Sequence, residues 1–200
     1  MATRNSGKTW TSQRLPSGTD QTFGIACRTG TACYALGQTN TGSADILSTL
    51  DAGARWTSRP APPGTAGLDG IACPSSAACF AVGDNDSGRG VVLATQAAGT
   101  RWVVSTALAG IGGVYGIGCS SSTTCTAFGG SFPDAANYFL STTDSGAQWS
   151  AQPISPLVSI LGGIACASNS VCYAAGAGSG GIGGLVVVGS MPTGAAVHGP

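Results

Sequence analysis

Eight cysteines are the residues of this 200-residue sequence with the greatest capacity for chemistry. They fall into four pairs, and five residues separate the two cysteines of each pair. The pairs are Cys27/Cys33, Cys73/Cys79, Cys119/Cys125 and Cys166/Cys172. An even number of regularly spaced cysteines in a chain rich in Ser, Thr and Gly favours disulfides formed in an oxidising compartment. Free or metal-bound thiols are the alternative, but C-x5-C is not a usual zinc spacing.

Groups suited to acid–base catalysis are few. The chain has eight aspartates, no glutamate and a single histidine, His198, so a Ser–His–Asp arrangement would depend on that one residue. Two aspartates can hydrolyse a glycosidic bond when their separation is suitable. Asp20, Asp69 and Asp134 lie near predicted loops. Nothing in the sequence places two aspartates together. We therefore expect a non-catalytic protein, with an aspartate-only glycoside hydrolase as the alternative.

One polar loop, DNDSGRG at 84–90, resembles the start of a calcium-binding loop. Its D-x-D-x-G pattern lacks the later oxygen ligands and the bidentate glutamate of a complete site. An ordinary polar turn is the favoured interpretation, with calcium at Asp84 and Asp86 as a weak alternative. We expect no other metal and no cofactor. The candidate ligand-facing residues are Asp69, Asp84, Asp86, Arg89, Tyr115 and Asp134.

The charge balance limits the classes of partner. Eight basic residues offset eight acidic ones, and only 8 % of the residues are charged. Nucleic acids and anionic membranes require a concentrated positive field, so neither is expected as a partner. No apolar run approaches the length of about 18 residues that spans a bilayer, so membrane insertion is not expected. A protein or a carbohydrate remains as the expected ligand.

Two markers repeat along the chain with one period. The first cysteines of successive pairs are 46, 46 and 47 residues apart, and so are Trp10, Trp56, Trp102 and Trp149. Within one unit, FGIAC and CYALG read as a hairpin, ADILST as a third strand and RWTSRP as a fourth. Four short strands in about 46 residues are typical of a propeller blade. Across a tight hairpin the two cysteines of a pair should face each other at bonding distance.

The segments before the tryptophans share the pattern Ser/Thr-x-Asp-x-Gly-x-x-Trp, as in TLDAGARW and TTDSGAQW. This pattern resembles the Asp-box, or BNR, repeat of sialidase-like and sortilin-like β-propellers. Together with I-x-C-x5-C-x-A-x-G, it is similar to the secreted bacterial BNR/YCF48-like type. The resemblance implies peripheral turns between strands three and four, with structural residues only. Those residues are Asn5, Gly7, Trp10, Asp51, Gly53, Trp56, Gly99, Trp102, Asp144, Gly146 and Trp149.

The repeat predicts an all-β fold, a propeller of about four four-stranded antiparallel blades in a single domain, 1–200. Complete blades are expected at about 20–60, 66–106 and 113–153. Three strands at 160–190 would be completed by residues 1–16, which closes the ring and gives a monomer. A fragment of a larger propeller, or a homodimer that forms a larger ring, is the alternative.

The function expected is that of a non-catalytic, secreted or cell-surface module that binds a protein or a glycan or acts as a scaffold. The sequence contains no secretion signal, so we expect that the signal was removed or that the chain is a fragment. The resemblance also implies a sialidase-like enzyme of the BNR class as an alternative. A sialidase of that class needs a Tyr–Glu nucleophile pair, which a chain without glutamate cannot supply.

Overall fold

Fifteen β-strands form four antiparallel sheets in the computed structural model, which describes residues 1–96, 101–130, 136–180 and 183–190. Blade 1 contains β1 (Thr19–Cys27), β2 (Cys33–Thr39), β3 (Ala44–Thr49) and β4 (Thr57–Pro60). Blade 2 contains β5 (Thr65–Ala72), β6 (Phe80–Asn85), β7 (Gly90–Gln96) and β8 (Arg101–Ala107). Blade 3 contains β9 (Gly113–Cys119), β10 (Cys125–Gly130), β11 (Asn137–Thr142) and β12 (Ser150–Pro153). Blade 4 contains β13 (Val158–Ser168), β14 (Val171–Gly178) and β15 (Gly184–Ser190).

The four sheets are the blades of a β-propeller, which confirms the expected all-β fold. Strands follow one another within each sheet in chain order, and every pairing is antiparallel. The first strands of neighbouring blades contact each other, β1 with β5, β5 with β9 and β9 with β13. They are therefore the innermost strands. The described residues include no helix, and accordingly none that could cross a membrane.

Each blade junction has an apolar core because the strands alternate in side-chain direction. Tyr34, Leu36 and Ile46 of blade 1 pack against Ile71 and Leu93 of blade 2. The same register positions recur at the later junctions. Burial of these side chains between sheets is what holds successive blades together.

Glycines on the inner strands allow neighbouring blades to approach closely. A Cβ at Gly24 would lie 3.1 Å from the backbone oxygen of Asp69 in the next blade. A Cβ at Gly70 would lie 2.8 Å from the Cα of Gly116. These glycines occupy one register position, three residues before the first cysteine of each blade, so the close approach is part of the repeat.

The four expected disulfides are confirmed. Cys27–Cys33, Cys73–Cys79, Cys119–Cys125 and Cys166–Cys172 join the first two strands of each blade, with Cα–Cα distances of 3.9 to 4.0 Å. In blades 1, 3 and 4 the two cysteines are direct partners in the strand register. The bonds are consistent with an oxidising, extracellular environment.

The N-terminal segment differs from the expectation in one respect. Within the described residues the sheet of blade 4 has three strands, and residues 1–16 do not pair with it. The segment instead forms a bridge between Ala2 and Thr11. Leu15 packs on blade 1, against Leu47 and Trp56. These contacts place the segment against the face of blade 1, and the segment makes no strand pairing with blade 4.

Candidate functional site

Three described turns carry the repeated Asp-or-Asn motif, and they share one hydrogen-bond network. In the turn of blade 1, the Thr49 hydroxyl donates to Asp51 Oδ1 at 2.8 Å and accepts from the Gly53 N–H at 2.9 Å. Asp51 Oδ1 also accepts from the Arg55 N–H at 2.9 Å. Ala52 and Gly53 both have positive φ, which lets the turn reverse within a few residues.

The turn of blade 3 and the N-terminal turn repeat this network. The Thr142 hydroxyl donates to Asp144 Oδ1 at 2.7 Å, and the Thr3 hydroxyl donates to Asn5 Oδ1 at 3.0 Å. Asn5 can accept the same hydrogen bonds as the aspartate because its amide oxygen is also an acceptor. These hydrogen bonds stabilise the turn, so the motif residues have a structural role there. Their assignment to the Asp-box family stays a prediction. The turn of blade 2, with Gly99, lies outside the described residues.

The tryptophans of the motif have different environments. Trp56 is buried and donates through Nε1 to Gln13 Oε1 at 3.0 Å. Trp102 and Trp149 are partly buried against the preceding blade, where Trp102 meets Tyr34 edge to face at 5.4 Å between ring centroids. Trp10 is exposed. Trp102 and Trp149 thus pack on the preceding blade, whereas Trp56 of blade 1 packs on the N-terminal segment.

A β-bulge on each inner strand lies four residues before the first cysteine. The positions are Phe23, Asp69, Tyr115 and Gly162, and each falls within a shift of the strand register. Bulges redirect side chains and are frequent beside functional sites. Phe23 and Tyr115 are exposed and Asp69 is half-buried. These residues form a row along the inner strands that includes two of the sequence-derived candidates.

Burial raises the pKa of Asp69 above its ordinary value of 3.8, and the nearby Asp84 charge adds to the effect. Burial is also the main cause of the raised pKa of Asp84, and the charge of Asp86 raises it further. The three candidate aspartates of blade 2 are thus electrostatically coupled. Among the described residues, no group of three or more His, Cys, Asp or Glu is arranged to hold a metal ion.

The polar loop after β6 is organised by its own backbone. Asn85 Oδ1 accepts hydrogen bonds from the N–H groups of Ser87 and Arg89 at 3.0 and 2.9 Å. Gly88 has a positive φ, and its N–H donates to the Asn85 carbonyl. This is an Asx-type turn that leaves the Asp86 and Arg89 side chains exposed. Asp134 lies outside the described residues.

A groove lined by several charged side chains lies on the outer side of the junction between blades 1 and 2. It has a volume of 760 Å³ and runs along β4 from the blade 1 turn to the loop that enters blade 2. Four of the chain's seven arginines line it, namely Arg28, Arg55, Arg59 and Arg101. We call it the arginine groove. Its formal charge is positive even though the whole chain has none.

The walls of the arginine groove combine aromatic, proline and guanidinium groups. Tyr34 and Trp102 line it, and Pro62 and Pro63 lie at the entry to blade 2. Its one carboxylate, Asp51, is bonded into the turn. The hydrogen bonds of the turn hold the pKa of Asp51 below 3.8, and the bond from the Arg55 N–H has the largest effect. Tyr34 is buried and Trp102 is partly buried, so the open surface beside the guanidinium groups comes mainly from the prolines. Guanidinium groups beside such a surface are suited to bind an extended chain that bears carboxylates.

Sequence reasoning did not find the arginine groove. The four arginines occupy three different positions of the repeat: directly after a first cysteine, directly before a tryptophan and three residues after a tryptophan. Aligning the units by these positions would have shown that all four belong to blades 1 and 2. Only the packing of blade 2 on blade 1 shows that these positions share one surface.

Known structures resemble the chain in fold. YCF48 bound to D1 peptide matches with a TM-score of 0.58 and 17% identity, over 80% of this chain and 49% of that one. YCF48 from Cyanidioschyzon merolae matches with a TM-score of 0.56 and 14% identity, over 86% and 51%. A GH74 xyloglucanase from Xanthomonas campestris matches with a TM-score of 0.57 and 15% identity, over 86% and 29%.

Sequence comparison adds no closer relative, since no protein family and no curated protein matches the chain. The chain spans about half the length of the two YCF48 chains. Identities this low show the fold alone. The chain is therefore a β-propeller protein whose blades resemble those of YCF48 and of the xyloglucanase.

Proposed function

We propose that this chain is a non-catalytic, secreted protein-binding module, and that its arginine groove holds an acidic segment of a partner protein. The observation that carries the proposal is the presence of four arginines in one groove between two blades. Carboxylates pair with guanidinium groups through two parallel hydrogen bonds, which gives both affinity and orientation.

The groove also has the apolar surface that a peptide requires. Arg, Trp and Tyr are the residues most enriched among those that dominate protein–protein affinity. The groove brings Tyr34 and Trp102 together with the arginines. Likeness to YCF48, which is known in complex with a D1 peptide, supports a propeller that binds protein segments. The disulfides support secretion.

The proposal is tested by titrating the protein with a fluorescent peptide rich in Asp and Glu. A peptide with Asn and Gln at the same positions serves as the uncharged comparison. We expect Arg55→Gln combined with Arg101→Gln to weaken binding of the acidic peptide about tenfold or more, because two charge-assisted contacts are lost. Added salt should weaken binding to the unaltered protein as well, because the contacts are partly exposed.

Arg89→Gln is the matched control, since Arg89 is an exposed arginine of blade 2 that does not line the groove. It should bind the acidic peptide as the unaltered protein does. Equal affinity of the double variant and the Arg89→Gln variant would overturn the assignment to the groove. Equal affinity of the acidic and uncharged peptides would overturn the role of carboxylates.

Glycoside hydrolysis is the second candidate, and it rests on Asp69 and Asp84. Burial raises the pKa of both carboxyls, which is the property required of a general acid. Likeness to a xyloglucanase supports testing neutral glycans first. Turnover that is lost in Asp69→Asn but kept in Asp51→Asn would establish an enzyme and replace the proposal of a non-catalytic module.

A further inference from the structure

The two ends of the blade series expose the surfaces that are buried at the three internal junctions. On blade 4, the face away from blade 3 exposes Tyr173 (46%), Val186 (66%) and Val188 (61%). The equivalent positions of blade 1 are Tyr34, Ile46 and Ser48, of which the first two are buried in the core against blade 2. Blade 4 therefore presents a junction face with no blade against it among the described residues.

Blade 1 presents the complementary face. Ile25 is 62% exposed, whereas Ile71 and Ile117 at the same register position are buried against the preceding blade. Farther out on the same face, Ala35 and Leu47 are buried beneath Leu15. The inner half of the face is thus open, and the outer half is already covered by the N-terminal segment.

The N-terminal segment occupies the place of the fourth strand of a blade that would precede blade 1. The Gln13 amide donates to the Ala52 carbonyl in the turn of blade 1. In the same way, the hydroxyl groups of Ser105 and Thr106 in the fourth strand of blade 2 donate to the Gly146 carbonyl in the turn of blade 3. By comparison with blade 2, these contacts identify the N-terminal segment as the equivalent of a fourth strand.

A second pair of equivalent residues supports the same placement. Leu15 lies five residues after Trp10, and Ile154 lies five residues after Trp149. Ile154 packs into the core of the following junction, between blades 3 and 4, just as Leu15 packs on blade 1. Ile154 directly follows β12, the fourth strand of blade 3, and Leu15 holds the equivalent position relative to Trp10.

Two unpaired strand edges remain, and they match each other. Among the described residues, Ser12–Leu15 make no backbone–backbone hydrogen bond, and the outer edge of β15 has no neighbour in its sheet. The register of β3 with β4 in blade 1 would place Ser12 opposite Val187 and Gln13 opposite Val186. Unpaired edges with exposed apolar side chains favour association with another chain.

We propose that two copies of this chain associate head to tail, with blade 4 of each copy packed on blade 1 of the other. Residues 12–15 of each copy pair with β15 of the other as the missing fourth strand. Two such junctions close one ring, because a head-to-tail contact that returns to its start forms a closed assembly.

The test compares the native mass of the unaltered protein with that of two charge variants. Val188→Glu places a carboxylate on the blade 4 face, and Ile25→Glu places one on the blade 1 face. We expect the unaltered protein to have twice the chain mass of 19.4 kDa. Each variant alone should have the mass of one chain, because both junctions of the ring contain the substituted face.

Mixing the two variants distinguishes loss of the interface from loss of folding. Each variant retains one unaltered face, so an equimolar mixture should form a dimer through a single junction, which misfolded chains cannot do. Ser87→Glu, in the exposed loop of blade 2, is the control and should remain a dimer. A single-chain mass for the unaltered protein, or a dimer that persists in both variants, would overturn the proposal.

Discussion

A threonine hydroxyl organises each of the three described turns. In the turn of blade 3, the buried Thr142 hydroxyl donates to Asp144 and accepts from the Gly146 N–H at 3.1 Å. We expect Thr142→Val to lower the free energy of unfolding by about 1–3 kcal/mol, since it leaves a buried N–H without its acceptor. Thr142→Ser keeps the hydroxyl and is the control. Thermal unfolding of both variants checks this, and equal stability would contradict the network.

The pH dependence of stability should have opposite contributions from two sets of aspartates. Hydrogen bonds within the turn lower the pKa of Asp144 below 3.8, and the bond from the Gln148 N–H has the largest effect. Its stabilising contribution is therefore present above pH 3.8 and is lost as the pH falls through the lower folded value. Asp69 has a raised pKa, so its contribution runs the other way: stability rises as the pH falls through the folded value towards 3.8.

Chemical unfolding as a function of pH measures these contributions. Asp69→Asn should reduce the gain in stability that occurs as the pH falls towards 3.8, and Asp144→Ala should reduce the loss of stability below pH 3.8. Neither effect should vanish, because Asp84 and Asp51 keep their own shifted pKa values. Asp144→Asn should cost less stability than Asp144→Ala near neutral pH, because Asn5 fills the same position in the N-terminal turn. Identical pH profiles for the unaltered protein and the Asp69→Asn variant would contradict the assigned burial of that carboxyl.

Much of the residue-scale description could be predicted from the sequence, and the reason is local. Two cysteines with five residues between them face each other when those residues form a tight hairpin. The spacing therefore predicts a disulfide within each pair. The coupling of Asp69 to Asp84 could not be predicted in this way. It depends on the pairing of β5 with β6, in which Gly67 lies opposite Asp84.

At the scale of elements, the inner strands set how closely the blades approach. A Cβ at Gly70 would meet the Gly116 Cα and the Ile117 backbone nitrogen, at 2.8 and 3.1 Å, and neither can move without its strand. We expect Gly70→Ala to cost about 1–3 kcal/mol of stability through overpacking of the blade junction.

Gly163 is the matched control for this substitution. It occupies the same register position in blade 4, and a Cβ there would meet no atom within 4 Å. Both substitutions are made in the Val188→Glu background, so that association of copies does not affect the comparison. Thermal unfolding should then be nearly unchanged by Gly163→Ala. A loss of stability as large as that of Gly70→Ala would contradict the open end of blade 4.

Strand order and strand type followed from the 46-residue repeat, but the position of the N-terminal segment did not. The motif of residues 3–10 matches the turn that precedes a fourth strand, so it predicts that the residues after it form a fourth strand. It does not say with which blade that strand pairs. Its observed position depends on contacts of Gln13 and Leu15 with the face of blade 1. Those contacts join parts of the chain whose proximity the repeat alone does not determine.

At the scale of the whole molecule, the arginine groove and the open ends are separate surfaces. The groove lies at an internal junction, between blades 1 and 2, whereas association of copies uses blades 1 and 4 through their outward faces. A ring of two copies would therefore carry two grooves. A single-chain native mass would therefore leave the assignment of the arginine groove intact. Absence of acidic-peptide binding would leave the proposed two-copy ring intact.

Photo-cross-linking of a bound acidic peptide tests directly whether the arginine groove is the binding site. The peptide carries a photoreactive group, and the labelled protein is digested and sequenced by mass spectrometry. We expect adducts on Arg55, Arg59, Pro60–Pro63 and Trp102, which line the arginine groove. Adducts confined to the inner row at Phe23 and Tyr115 would contradict it, and would place binding at the centre of the propeller instead.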